Sequence, residues 1–202
     1  MREQPNYFNR FDMARLTEEF PIGPAFLRRF EAISRDELRA LQESRFATLM
    51  AQAWKVPFYQ RLWGAQGLEP GDIAGLDDIT KLPSFDKSDI MDSIAAHPPF
   101  GDFHGMETYP DGERPPVIVH TTSGTTGRPQ VLMFGPRSRE IQNLLVARVY
   151  LLQGLRPDDV VQSVYGHGMV NGGHYIREAV VHWTNSIFLP AASGQLNLGG
   201  AG

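Results

Sequence analysis

A chain of 202 residues, 42% hydrophobic and 21% charged, is ordinary for a globular protein and long enough to bury a core in about one domain. Its 19 basic and 23 acidic side chains give a net charge of −4 with no long run of one sign, which excludes a basic stripe for nucleic acid. Cysteine is absent, so disulfides, thiolate nucleophiles and cysteine metal sites are excluded outright.

The opening MREQPNYFNRFD holds no apolar segment of a secretory signal, and no apolar run approaches the ~20 residues that cross a bilayer. The expectation is a soluble, cytoplasmic protein that engages neither nucleic acid nor membrane. Residues 1–33 read as an N-terminal extension. Ser34 to Ala53 reads as a helix, with an S-x-x-E capping box at Ser34 and Glu37 and with Leu38, Leu41, Phe46, Leu49 and Met50 near helical spacing. Val56-Pro57 ends it, because a residue before proline is pushed out of the helical region. Turn signals follow at Gly64, Gly67, Pro70-Gly71 and Gly75, then a turn and a short helix within Leu82 to Asp92.

Val117-Ile118-Val119 and Val131-Leu132-Met133-Phe134 have the composition and length of strands. Beyond Gly135-Pro136, Ser138 is the expected N-cap of a helix that carries Ile141, Leu144, Leu145, Val149 and Leu152 and stops at Gly154. Val160 to Tyr165 reads as a strand, Tyr175 to Trp183 as a helix, and Ile187-Phe188-Leu189 as another strand. Strands alternating with helices predict an α/β fold. The last residues, 196–202, form a glycine-rich tail without periodicity.

Between the first two strands lies HTTSGTTGRPQ, His120 to Gln130. Neither a Walker A loop nor a Rossmann fingerprint is present, since no lysine follows Lys87 and no G-x-G-x-x-G occurs. Glycines nevertheless let successive N–H groups converge on an anion, and hydroxyls add donors. A plain hairpin loop is the bland alternative for any such cluster.

The full string T-S-G-T-T-G-x-P resembles the phosphate-binding signature of the adenylate-forming (acyl-CoA synthetase) superfamily. SRDELRALQESRF, VPFYQRLWGAQGLEPGDIAGLDDITKLPSFDKSDI, HTTSGTTGRP and RPDDVVQSVYGHGMVNGG resemble, in order, successive blocks of its phenylacetate-CoA ligase-like branch. The resemblance spans about Ser34 to Gln195, so residues 34–195 are expected to form part of the N-terminal domain of such an enzyme, with mixed sheets and flanking helices. Gln130 stands where many superfamily members carry lysine, a departure this branch shares.

The resemblance implies an AMP-forming acid–thiol ligase: ATP activates an aryl or related carboxylic acid as an acyl-adenylate, and coenzyme A receives the acyl group. It implies Mg²⁺ with the ATP. It assigns Thr122, Ser123, Gly124, Thr125, Thr126, Gly127 and Arg128 to the nucleotide, and Tyr165, Gly166, His167, Gly168, Gly172 and Gly173 to the acyl pocket. His167 occupies a place where related ligases often have an aromatic residue, which suggests an acid with a hydroxyl or amino substituent. Catalytic residues are not assigned.

Such ligases are roughly twice as long, and the pattern is lost after Gln195. The expectation is a product cut short relative to its family, with exposed apolar surface that leaves room for a homo-oligomer. Two alternatives stay open: a catalytically silent nucleotide- or partner-binding fragment, and an adenylating enzyme with an acceptor other than coenzyme A. His167, His174 and His182 lack compact zinc spacing, so no protein-bound transition metal is expected. Asp77-Asp78 and Asp158-Asp159 read as solvated turn carboxylates.

Overall fold

The computed structural model describes residues 6–122 and 129–190. Two compact units emerge: Ala32–Arg114 forms one, and the chain up to Glu31 joins the chain from Pro115 onward to form the other.

The Ala32–Arg114 unit is helical. Helix α3 (Arg35–Ala53) begins with both halves of its capping box, the Glu37 amide donating to Ser34 Oγ and the Glu37 carboxylate accepting from the Ser34 amide. Phe46 and Met50 are buried and pack with Trp63 and Ile73, whereas Leu38 and Leu49 face solvent. The expected apolar stripe is therefore narrower than the spacing suggested. Val56-Pro57 does end α3, and it also starts α4 (Pro57–Gly64), which the turn signals had concealed. Proline fits there because the first helical N–H has no partner within the helix.

Glu43 accepts the Leu76 amide and pairs with Arg39, so α3 holds the 3₁₀ helix Leu76–Lys81 through a carboxylate. Helix α5 (Lys87–Ala96) repeats the capping logic with Asp86 and Asp89. Buried Asp102 accepts from Arg61 and from Ser93 Oγ. The Arg61 hydrogen bonds hold its carboxyl down at about 2.

In the other unit, α1 (Met13–Glu19), capped by Asp12, and α2 (Gly23–Ala32) occupy part of the expected extension. Strands β1 (Ile118–Thr121) and β2 (Val131–Phe134) pair antiparallel, with His120 opposite Leu132 and Thr121 opposite Val131. Helix α6 (Pro136–Leu152) follows directly. Its cap is Gly135 with Pro136 in the first turn, so Ser138 lies inside the helix and donates from Oγ to the Gly135 carbonyl rather than capping. Gly154, at φ +96°, stands just beyond its end.

Strand β3 (Val160–Ser163), helix α7 (Asn171–Trp183) and strand β4 (Ile187–Pro190) form a βαβ unit, with β3 and β4 parallel. Strand β3 ends short of Tyr165, and α7 starts at Asn171 rather than Tyr175. Gly172 and Gly173 are poor helix formers, and tertiary packing overrides that preference. Leu16, Leu144, Ala147, Ala179 and Trp183 form the core of this unit. Val160 and Ile187 on its sheet are 56% and 53% exposed, and Val164, just past β3, is 76% exposed. The α/β class is thus as expected. Among the described residues no helix is long and apolar enough to cross a membrane.

Candidate functional site

The loop that drew the phosphate assignment leaves β1 after Thr121 and returns to β2 at Val131. Ser123, Gly124, Thr125, Thr126, Gly127 and Arg128 lie outside the described residues. Thr122 is described and closes the loop's base: its amide donates to the Gln130 carbonyl at 2.9 Å, and its Oγ1 accepts the Gln130 amide at 3.1 Å. The hydroxyl proton stays available to donate.

A second segment is stitched to this base. The Thr121 amide donates to the Met169 carbonyl at 2.8 Å, and Thr121 forms a parallel bridge with Val170. Val170 is the cap of α7, so the end of β1 at Thr121 lies beside the N-terminus of α7. Positive partial charge at a helix N-terminus favours anions nearby.

The segment from Tyr165 to Gly168 lies against the same helix start. A β-carbon on Gly173 would sit 2.5 Å from the Gly166 carbonyl oxygen and 3.3 Å from Tyr165 Cβ. Gly172 gives ordinary contact, 3.6 Å from the Tyr165 ring. Tyr165 is half exposed, and the Gly168 carbonyl accepts from His174 Nε2 at 2.8 Å. Tyr165, Gly166, Gly172 and Gly173, four of the residues expected to line an acyl pocket, therefore lie close together, and Gly168 and His167 are tied to the same helix through His174.

Three imidazoles link the two segments. His120 of β1 contacts His174 of α7 at 4.7 Å between ring centroids, and His174 meets His167 edge-on at 5.5 Å. His120 is 3% exposed, and neither of its ring nitrogens has a hydrogen-bond partner among the described residues. His167 Nε2 is likewise buried without one. Burial pushes the His120 pKa down, and the charges of Arg139 and His174 act in the same direction. The shift favours the neutral form of His120. Among the described residues no cluster of His, Asp and Glu is arranged to hold a metal ion.

Behind the helix start lies a polar network. Arg139, fully buried, binds Glu178 at 2.5 Å and also donates to Asn171 in the first turn of α7. Asn143 donates to Glu178 at 3.0 Å. Burial alone would raise the Glu178 carboxyl, but the Arg139 hydrogen bond and charge outweigh it and the net shift is downward. Next to it, buried Glu140 accepts from Tyr7, His182 and Trp183 Nε1. Burial again opposes these bonds and loses. These bonds fix the axial position of α7, and with it Gly172, Gly173 and His174.

Sequence reasoning did not assign His120, His174, Arg139 or Glu178. A signal existed for Arg139: the buried positions of α6 are Pro136, Arg139, Glu140, Asn143, Leu144 and Ala147, a helical stripe written half in polar letters. A count of apolar residues alone passes over it. His120 could have been read from strand alternation, which puts it on the opposite face to Thr121.

No family model matches the chain. It is similar to the phenylacetate-coenzyme A ligase of Thermus thermophilus, 37% identical over 144 residues, which cover 71% of this chain and 30% of that protein. The phenylacetate-coenzyme A ligase of Escherichia coli is 33% identical over 171 residues, 82% of this chain and 36% of that protein. Among solved structures, 2-hydroxyisobutyryl-CoA ligase in complex with 2-HIB-AMP and CoA superimposes with a TM-score of 0.72 at 30% identity, covering 88% of this chain and 37% of that one. The same ligase in the postadenylation state with 2-HIB-AMP gives 0.71 at 28% identity. The chain spans about a third of the length of these relatives. In sequence and in fold alike, this chain belongs with the N-terminal part of the adenylate-forming ligases, in their phenylacetate-CoA ligase-like branch.

Proposed function

We propose that this chain is the phosphate- and acid-binding part of an AMP-forming ligase that activates an aryl or related carboxylic acid and passes it to coenzyme A. The observation that supports this reading is the junction of Thr121 with Met169 and Val170, which joins the strand leading into the hydroxyl-rich loop to the segment proposed to hold the acid. Adenylation needs two anions brought together, and that arrangement supports it.

A carboxylic acid with a pKa near ~4 is already an ionised nucleophile at neutral pH, so the first step calls for positioning rather than a general base. Thr122, Ser123, Gly124, Thr125, Thr126 and Gly127 would donate N–H and O–H groups to the β- and γ-phosphates, with Arg128 adding charge. Tyr165, Gly166, His167, Gly168, Gly172 and Gly173 would hold the acyl group, the glycines letting backbone approach a flat ring. The acid's oxygen then forms a bond to the α-phosphorus as pyrophosphate leaves. Mg²⁺ would supply countercharge on the phosphates; the described residues form no protein site for it, so no step is assigned to it. Coenzyme A is the expected acceptor, as 2-hydroxyisobutyryl-CoA ligase was captured with CoA in the thioesterification state.

The share of the relatives' length favours a second reading, a fragment that binds nucleotide without turning it over. Acid-dependent ATP–pyrophosphate exchange decides between the two. Exchange that requires both the acid and the loop Ser123–Arg128 supports the ligase. ATP binding without exchange supports the fragment, and loss of both excludes each. Adding coenzyme A and measuring thioester separates a CoA ligase from an adenylating enzyme with another acceptor.

A further inference from the structure

Helices α4 and α5 of the Ala32–Arg114 unit enclose a groove of about 320 Å³, lined by none of the residues assigned above to the nucleotide or the acid. Phe58, Arg61 and Leu62 line it from α4, three residues of one helical face. Asp89, Asp92, Ser93 and Ala96 line it from α5 on the same spacing, and His97 stands at the end of that helix. Ligand pockets run from roughly 300 to 1,000 Å³ and combine apolar wall with a few polar groups, and this groove has both properties.

The charge it favours follows from the partners its polar groups already have. Arg61 donates from Nη1 and Nη2 to Asp102, and His97 Nε2 lies 3.6 Å from the same carboxylate. Ser93 Oγ also donates to Asp102, at 2.8 Å. The basic side chains and the hydroxyl are thus drawn to one buried carboxylate, which balances the Arg61 charge. The two aspartates of the groove have no such balance. Asp89 accepts the Asp86 amide through Oδ2 at 2.7 Å, which leaves Oδ1. Asp92 makes no hydrogen bond or ion pair among the described residues, and Asp89 has no cationic partner among them. Like charges three positions apart on a helix repel, so an incoming cation relieves them.

The apolar wall decides which cation. A hard metal ion takes six or more oxygens, and Phe58, Leu62 and Ala96 supply none. An amine on an apolar body uses both halves of the groove: its ammonium donates to carboxylate oxygens while its carbon atoms cover the wall.

We infer that this groove binds an organic cation, a protonated primary amine on a short apolar or aromatic body, with the amine at Asp89 and Asp92 and the body against Phe58, Leu62 and Ala96. The inference stands apart from the ligase reading.

The test titrates the isotope-labelled chain with 2-phenylethylamine and 2-phenylethanol, which share a body and differ in the charged head, and follows the backbone amides by NMR. The amine is expected to bind on the order of fivefold more tightly than the alcohol and to shift the amides of residues 58–62 and 89–97. Asp92 has no partner to lose, so Asp92→Asn keeps the fold and removes most of that preference. Ala96→Leu fills the groove without changing its charge and weakens both ligands. Asp36→Asn, the same change of charge on α3 and outside the groove, leaves the preference as it is. Nα-acetyl-lysine amide in the same titration separates two sources of the chemistry: tighter binding than 2-phenylethylamine names a lysine of a partner chain, weaker binding a free amine. Equal affinity for amine and alcohol, shifts centred on other residues, or a preference that survives Asp92→Asn overturns the inference. Acid-dependent pyrophosphate exchange reads the ligase function separately, so either result can fail without the other.

Discussion

Gly173 passes so close to Gly166 that a β-carbon on it would stand 2.5 Å from the Gly166 carbonyl oxygen. That atom is backbone and cannot swing aside as a side-chain tip would. The Gly173→Ala chain should therefore push the Tyr165–Gly168 segment off the start of α7 and lose roughly 1–3 kcal/mol of stability. Gly172→Ala, which meets only the Tyr165 ring at ordinary distance, should cost little. Urea unfolding of the two variants side by side checks this. Equal stabilities would show that the close approach is not needed.

The Arg139–Glu178 pair should be far more expensive to break than to replace. Removing one partner leaves the other charge buried and uncompensated, so Arg139→Met is expected to cost about 3–5 kcal/mol. Arg139→Met combined with Glu178→Met should recover part of that loss, because no charge remains to be stranded. A double-mutant cycle by chemical denaturation measures the coupling. Additive losses would mean that the two side chains do not depend on each other.

Two histidines of the same unit should respond to pH in opposite directions. The hydrogen bond to Glu140 raises the His182 pKa, so its contribution is fully present below the unfolded value near ~6.5 and is lost as pH rises through the folded value. Burial lowers the His120 pKa, so its neutral form is favoured in the fold, and stability falls as pH drops below ~6.5, where the unfolded chain takes up the proton. His182→Gln should remove the alkaline decline, and His120→Phe the acidic one. Melting temperatures between pH 5 and pH 9, an interval of roughly two units on either side of these values, would reveal either slope.

In the Ala32–Arg114 unit, the Asp102 carboxyl lies at about 2, below its ordinary 3.8, chiefly through Arg61. A depressed carboxylate stabilises above the unfolded pKa and loses that contribution as pH falls through the folded one. Asp102→Asn should therefore be less stable by on the order of 1–2 kcal/mol at neutral pH, with the difference narrowing below pH ~4. An unchanged gap down to pH ~3 would rule out ionisation as its source.

Thr122 should act through its oxygen as an acceptor. Thr122→Ser keeps the bond from the Gln130 amide, whereas Thr122→Val removes it while preserving shape. Hydrogen exchange at Gln130 is expected to quicken roughly fivefold in the valine variant alone, corresponding to ~1 kcal/mol of one hydrogen bond.

Features governed by local chemistry could be read from the sequence. The Ser34–Glu37 cap, the stop at Gly154 and the strand run Val131–Phe134 each follow from a few adjacent residues. Where two local signals compete, the reading was less complete: Pro136 took the helix start from Ser138, and Pro57 both stopped one helix and opened another. The start of α7 at Asn171 was hidden because its glycines are explained only by what they touch, the backbone at Gly166. The same holds for the site. Its acyl-segment residues were named from motif, and their role stays a proposal, while His120 and Arg139 touch partners far along the chain, which no window of sequence contains. The assigned residues Ser123 to Arg128 fall outside the described part.

Tyr7 donates its hydroxyl to Glu140, 133 positions further along the chain. During synthesis the segment around Tyr7 therefore emerges long before the helix that receives it, while the uninterrupted stretch from Ala32 to Arg114 forms a unit of its own. That stretch can close on itself first, and the leading segment must wait through it with its aromatic rings uncovered. Bonds such as Tyr7–Glu140, Glu19–Arg137 and Pro21–Arg148 thus impose an order in time: the residues ahead of Ala32 settle only after the stretch that follows them has been made.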